Sequence, residues 1–295
     1  MFVNALEKAA KFTKPIHFIS RVANNTKIDP GAATLFLVND EGYALTCKHV
    51  AELIIQFNTI NDNYTRYKAE RELLPKDNKL RKNVDALKTR YKIFNNSTIQ
   101  TKILFVDCVD NLSGIQAIFH PVFDLAIVKF EGFTKIQCDE YPVFKGNSAE
   151  ILPGQFMCRL GFPFPEFNNF QYNSLTDDID WQLDKAHNSP RFPIEGMITR
   201  FLGDDKGDVY GIEMSTPGLR GQSGGPLVDR NGVVCGMQSK TKHLHLGFDI
   251  ENLEMVINGV NKRINDYSFI HLGECIHVDI IKNFLKEHNV RFSEQ

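Results

Sequence analysis

The 295-residue sequence has no apolar stretch able to cross a bilayer. Its longest clean run, from Ala32 to Val38, is about seven residues, where a spanning helix needs about 20. A secretory-type hydrophobic region is missing too, because Asn4, Glu7, Lys8, Lys11 and Lys14 break up the first turns of the chain. A cytoplasmic protein with no membrane partner is expected. Closely spaced cysteines are lacking: Cys47, Cys108, Cys138, Cys158, Cys235 and Cys275 are never closer than 20 residues apart. That spacing excludes Cys-x-x-Cys metal or redox pairs, so free and mostly buried thiols are expected, with no metal or other cofactor. Net charge is also low, at −2, which gives no bulk reason to bind nucleic acid. Repeats and low-complexity stretches are absent. With 42% apolar and 24% charged residues, disorder, collagen and coiled coil are excluded. At roughly 150 residues per domain, the length suits two domains or one large one.

What is present reads mainly as short strands between turns. Thr34–Val38 and Tyr43–Thr46 flank the acidic turn Asn39-Asp40-Glu41-Gly42, the pattern of a hairpin. Further apolar runs lie at Ile103–Asp107, Leu125–Phe130, Phe156–Leu160, Met197–Phe201, Tyr210–Met214 and Val233–Gln238. Many short strands argue for a sandwich or barrel. Two segments break the pattern. Between Tyr64 and Lys92 ten Lys/Arg face four acids, a local +6 that leaves −8 for the rest of the chain. Within it Leu80, Val84, Leu87 and Tyr91 fall on one helical face, so a basic helical hairpin is expected over about 62–92. At the other end Val278, Ile281, Phe284 and Leu285 mark the apolar stripe of a C-terminal helix. A boundary is expected among the Pro, Gly and Ser residues of Tyr141–Gly154.

The most specific chemistry is in Gly221-Gln222-Ser223-Gly224-Gly225-Pro226-Leu227. A serine hydroxyl becomes a nucleophile when it is held on a tight turn beside a base, with N–H donors aimed at the developing oxyanion. Upstream, Leu45-Thr46-Cys47-Lys48-His49-Val50 ends a strand with a histidine, and Phe123-Asp124-Leu125-Ala126 opens an apolar strand with an acid. Taken singly, a histidine is more often structural and such an acid a turn residue. His, Asp and Ser in this order, each at a strand end, point together to a hydrolytic triad.

These motifs resemble the trypsin/chymotrypsin superfamily and, within it, the HtrA-like branch. The likeness rests on Ala33–Val50, Asp124–Lys129, Gly154–Pro163, Glu195–Arg200 and Gly221–Gly236, covering about residues 30–55 and 100–240. It implies a mostly β fold of two six-stranded antiparallel β-barrels, with the helical hairpin inserted in the first and the C-terminal helix following the second. On that plan residues 1–24 form an N-terminal segment, 25–145 the first barrel and 146–295 the second barrel with its helix. Too few residues follow Gly247 for a PDZ-like domain, so none is expected.

Carried over from the resemblance, Ser223 is the nucleophile, His49 its base, Asp124 the orienting acid, and the N–H groups of Gly221 and Ser223 the oxyanion hole. Gln222 precedes the serine where digestive members have an aspartate, which removes activation by an N-terminal ion pair. Pro217 stands where trypsin-type enzymes place an acid. A substrate pocket of Pro217, Gly218, Leu219, Met237, Gln238 and Ser239 is expected, taking a small or apolar P1 side chain. His243 and His245 read as loop histidines more readily than as metal ligands or polar groups of the pocket. Leu246–Ile250 and Gly273–His277 are rival choices for the last barrel strand. The expected activity is that of a regulated intracellular serine endopeptidase on protein or peptide substrates, with an activating or recruiting partner for the basic segment 64–92. The alternative is a pseudoprotease or peptide-binding module using the same cleft.

Overall fold

A computed structural model of the chain describes residues 2–185 and 189–295. The first half contains α1 (Val3–Phe12), β1 (Thr13–Val22), β2 (Ile28–Leu37), β3 (Tyr43–Thr46), α2 (Lys48–Glu72), α3 (Leu80–Arg90), β4 (Thr98–Phe105), β5 (Val109–Asp110), β6 (Gly114–Phe119), β7 (Ala126–Glu131) and β8 (Lys135–Ile136). Six of these strands form an antiparallel sheet in the order β4-β1-β2-β3-β7-β6. The expected β2–β3 hairpin is present. Asn39 Oδ1 accepts from the N–H of Glu41 at 3.0 Å, an Asx turn, and Gly42 takes φ +85° at its end. Thr13–Val22 lies within the segment expected to precede the barrel, yet it is paired between β2 and β4. Its strand character is masked in the sequence by Pro15, His17 and Arg21, all of them accommodated in the sheet.

The second half adds β9 (Val143–Phe144), β10 (Phe156–Gly161), the small hairpin β11 (Phe170–Asn173) and β12 (Asp178–Trp181), β13 (Phe192–Gly203), β14 (Val209–Met214), β15 (Pro226–Val228), β16 (Val234–Ile257), β17 (Val260–His277), α4 (Val278–Glu287) and β18 (Ser293–Glu294). The ladders run β15-β10-β13-β14-β17-β16, and β16 pairs back onto β15. The six strands therefore close on themselves, and the short β9 and β18 join alongside by parallel pairing. This is the mostly β, two-barrel architecture that the resemblance implies.

The helical insertion starts earlier than its charge suggests. α2 begins at Lys48, inside the histidine motif, and runs for 25 residues before α3 folds back. It packs against β4, β6 and β7, spanning the gap between the two outer strands of the first sheet. Leu87 is buried, with Leu80, Val84 and Tyr91 half-buried beside it, as the helical spacing predicts. Tyr64, Tyr67, Leu87, Ile93 and Ile99 make a small core of their own beneath the hairpin. The main core is continuous through both barrels, from Leu35, Leu45 and Ile127 to Leu160, Ile212 and Leu227. On it α4 seats Val278, Ile281, Phe284 and Leu285, all buried, and His277 caps the helix by accepting from Asp279 N–H at 3.3 Å.

Of the two rivals for the last barrel strand, Gly273–His277 is the one in the barrel, paired with β14. Leu246–Ile250 belongs to a long two-stranded ribbon that β16 and β17 extend beyond the barrel. His243 and His245 lie on that ribbon, not in a loop.

Candidate active site

His49 is the second residue of α2, so its backbone N–H is one of the donors that a helix start leaves without an intrahelical acceptor. Asp124, just ahead of β7, supplies that acceptor: Oδ1 receives the His49 N–H at 3.1 Å. The same carboxylate takes the ring Nδ1–H, with Oδ2 at 2.9 Å and Oδ1 at 3.0 Å. One aspartate thus fixes both the helix start and the imidazole tautomer, leaving Nε2 as the free, basic nitrogen. The electrostatics agree. The hydrogen bond to Asp124 raises the His49 pKa above its ordinary value, against the opposing effect of burial. Burial pushes the Asp124 pKa up, but the hydrogen bonds from the His49 ring and backbone outweigh it and hold the carboxyl below its usual range.

Ser239 adds a link that the sequence does not signal. Its hydroxyl donates to Asp124 Oδ2 at 2.8 Å, and its carbonyl accepts from Ser223 Oγ at 3.1 Å. Expected only as pocket wall, it joins the acid to the serine. His49, Ser223 and Ser239 line one cleft, together with Pro217, Gly218, Leu219 and Gln238. Met237 does not line it: fully buried and paired with Pro226, it faces the barrel core, while a register shift between Gln238 and Lys240 lets both Gln238 and Ser239 reach the cleft.

The loop carrying Ser223 is braced from three sides. Thr34 Oγ1, buried on β2, donates to Gly221 C=O at 2.6 Å and accepts the Phe162 N–H at 3.1 Å. Gln222 Oε1 accepts from Leu219 N–H at 3.0 Å, and its Nε2 donates to Phe192 C=O at 2.9 Å. The residue that replaces the activating aspartate is therefore itself a loop brace. Gly221 adopts φ +91° and Gly224 φ +87°, where an added Cβ would lie 2.6 Å from Phe162 O and 2.2 Å from Thr34 O respectively. Only glycine fits either position. The N–H groups of Gly221 and Ser223 donate to no acceptor among the described residues.

Cys47 Sγ, His49 and Asp124 bring their ligand atoms within 4.8 Å of one another, the one grouping among the described residues with metal-ligand chemistry. Burial and the nearby Asp124 raise the Cys47 pKa well above its ordinary value, so the group is a thiol, and it donates to Gln238 C=O at 3.2 Å. A metal ligand would have to be a thiolate. All six cysteines are free. No helix among the described residues is long and apolar enough to cross a membrane.

No curated protein matches the sequence. Among solved structures, the chain is similar to the HtrA-type protease AlgW, once in a substituted form with a tripeptide and once with a decapeptide. The identities are 14% and 13%, each with TM-score 0.48 and 97% of this chain covered. The chain spans 62% and 66% of the length of those two chains. The sequence model described as "Trypsin-like peptidase domain" matches residues 33–237, from β2 through the serine loop to β16. The chain belongs to the trypsin-like peptidase domain family.

Proposed function

We propose that this chain is a serine endopeptidase in which Ser223, His49 and Asp124 act as the triad. The observation that carries the reading is the His49–Asp124 pair at 2.9 Å, whose histidine lines the same cleft as Ser223. In the mechanism this geometry supports, His49 Nε2 takes the proton of Ser223 as Oγ attacks the scissile carbonyl. The carbonyl oxygen becomes negative and is received by the N–H groups of Gly221 and Ser223. His49 then delivers the proton to the leaving amine, giving an acyl-enzyme, and the same base activates water to release the acid. Asp124 stabilises the imidazolium throughout. Before substrate enters, the serine hydroxyl rests on Ser239 C=O, and the mechanism requires Oγ to leave that acceptor for His49.

The bracing by Thr34 and Gln222 supports an oxyanion hole assembled within this chain. Control of the intracellular activity expected from the sequence would then act on access to the cleft. The free thiols fit a reducing compartment. The test is hydrolysis of an unstructured protein by the purified chain. Ser223→Ala and His49→Ala are each expected to lower turnover by about 10⁶, the scale seen when a triad member is removed. Equal hydrolysis by wild type and Ser223→Ala would refute the assignment. A wild type that binds peptide but never cleaves it would favour the peptide-binding alternative.

A further inference from the structure

Behind the expected substrate pocket lies a charge with no counter-ion. Arg159, on β10, has 0% exposure. Its guanidinium reaches neutral groups: Nη1 donates to Gln238 Oε1 at 2.7 Å, and Nη2 to Thr216 C=O at 2.9 Å and Thr216 Oγ1 at 2.6 Å. Its Nε–H finds no partner at all, and no carboxylate pairs with it among the described residues. A buried cation without an anion is strongly disfavoured unless something supplies the missing charge.

Gln238 connects that charge to the cleft. Because Arg159 holds its Oε1, the amide nitrogen is turned the other way, donating to Lys240 C=O at 2.9 Å. The Nε2 atom lies beside Gly218, where an added Cβ would be only 2.4 Å from it. An amide has two hydrogens, so one is left beside Gly218 at the cleft wall, where Gln238, only 2% exposed, meets the lining. The cleft mouth has the same sign. Arg220 lines it without an ion pair among the described residues, and the described residues lining the cleft include no carboxylate.

We infer that the primary pocket accepts an acidic P1 side chain, whose carboxylate is received by the Gln238 amide and supplies the counter-charge to Arg159. The inference rests on the triad reading and names its substrate class: proteins cut after Glu or Asp. It departs from the small or apolar P1 expected from Pro217, because the deciding residue comes from another strand. Arg159 is a positioning residue, acting through Gln238.

The test uses peptide amides that differ only in P1, as Glu, Gln, Leu or Lys, with fluorophosphonate labelling of Ser223 run in parallel. The Glu peptide is expected to exceed Leu in kcat/KM by about 10- to 100-fold, the scale of one charge-assisted contact, with Gln between them. In R159M the Glu and Leu rates should converge while labelling persists, and R159K should restore part of the selectivity. A labelled wild-type protein that cuts Leu as well as Glu overturns the inference, as does a Glu preference that survives R159M. Equal rates on Glu and Gln would overturn the role given to charge. Should R159M fail to fold by circular dichroism, Q238L at the pocket wall tests the same point and should likewise lose the Glu preference. Loss of labelling in wild type would instead refute the triad itself.

Discussion

Replacing Thr34 with valine keeps the shape and β-branching of the side chain while removing its hydroxyl, which joins β2 to the serine loop. Two hydrogen bonds go with it. The Phe162 N–H loses its acceptor in a residue only 4% exposed, and Gly221 C=O loses a donor at 2.6 Å. A buried group left without a partner costs about 1–3 kcal/mol, so losing two should destabilise the Thr34→Val fold by about 2–6 kcal/mol. The chemical effect is separate. Gly221 C=O belongs to the peptide between the two proposed oxyanion donors, and freeing it lets both N–H groups shift. Misplacement of about 1 Å costs about 10² in rate, less than the 10²–10³ of losing a donor outright. Urea unfolding should show a lowered midpoint with an unchanged slope. Fluorophosphonate labelling of the fully folded variant should slow by about 10- to 10²-fold. Thr34→Ser, which keeps the hydroxyl, should restore most of the rate. A valine variant that labels as fast as wild type would refute the idea that Thr34 organises the hole.

Further outcomes can be measured at the triad and at the basic hairpin. Because Asp124 raises the His49 pKa and the base must be neutral, kcat/KM should rise with pH through a midpoint above about 6.5, measurable in a pH-rate profile. The stability linked to His49 has the opposite sense, being fully present below about 6.5 and lost as pH rises through the raised pKa, while that of Asp124 is present above about 3.9 and lost in acid. Asp124→Asn should lower kcat by about 10⁴, the loss known from the serine-protease template, and move the pH midpoint down, since the carboxylate fixes the ring tautomer and stabilises its charge. For the basic hairpin, titration with a single-stranded oligonucleotide at about 50 and 200 mM salt should show no steep loss of affinity if its lysines and arginines form a solvated face. A steep slope would identify a recruiting surface.

Much of this fold was legible because its signals are local. The β2–β3 hairpin follows from an Asx turn ending in glycine, and α4 from apolar spacing along a single helix. The serine loop is legible because Gly221 and Gly224 occupy backbone that other residues would strain. What escaped sequence reading depends on partners far along the chain. β1 is a strand because β2 and β4 flank it, despite Pro15 and Arg21 within it. The start of α2 at Lys48 was hidden by a charge signal that begins some way into the helix. Ser239 finds Asp124 across 115 positions, and Arg159 finds Gln238 across 79. Neither spacing leaves a motif. Met237 and Gln238 are neighbours in sequence with different fates, core and cleft, which only the strand's orientation decides.

The central claim is that His49 activates Ser223, and a fluorophosphonate probe tests it without knowledge of any substrate. Labelling of the purified wild type, with the adduct mapped to Ser223 by mass spectrometry and lost in both Ser223→Ala and His49→Ala, is the predicted result. Absence of an adduct at Ser223 in the folded wild-type protein would contradict it.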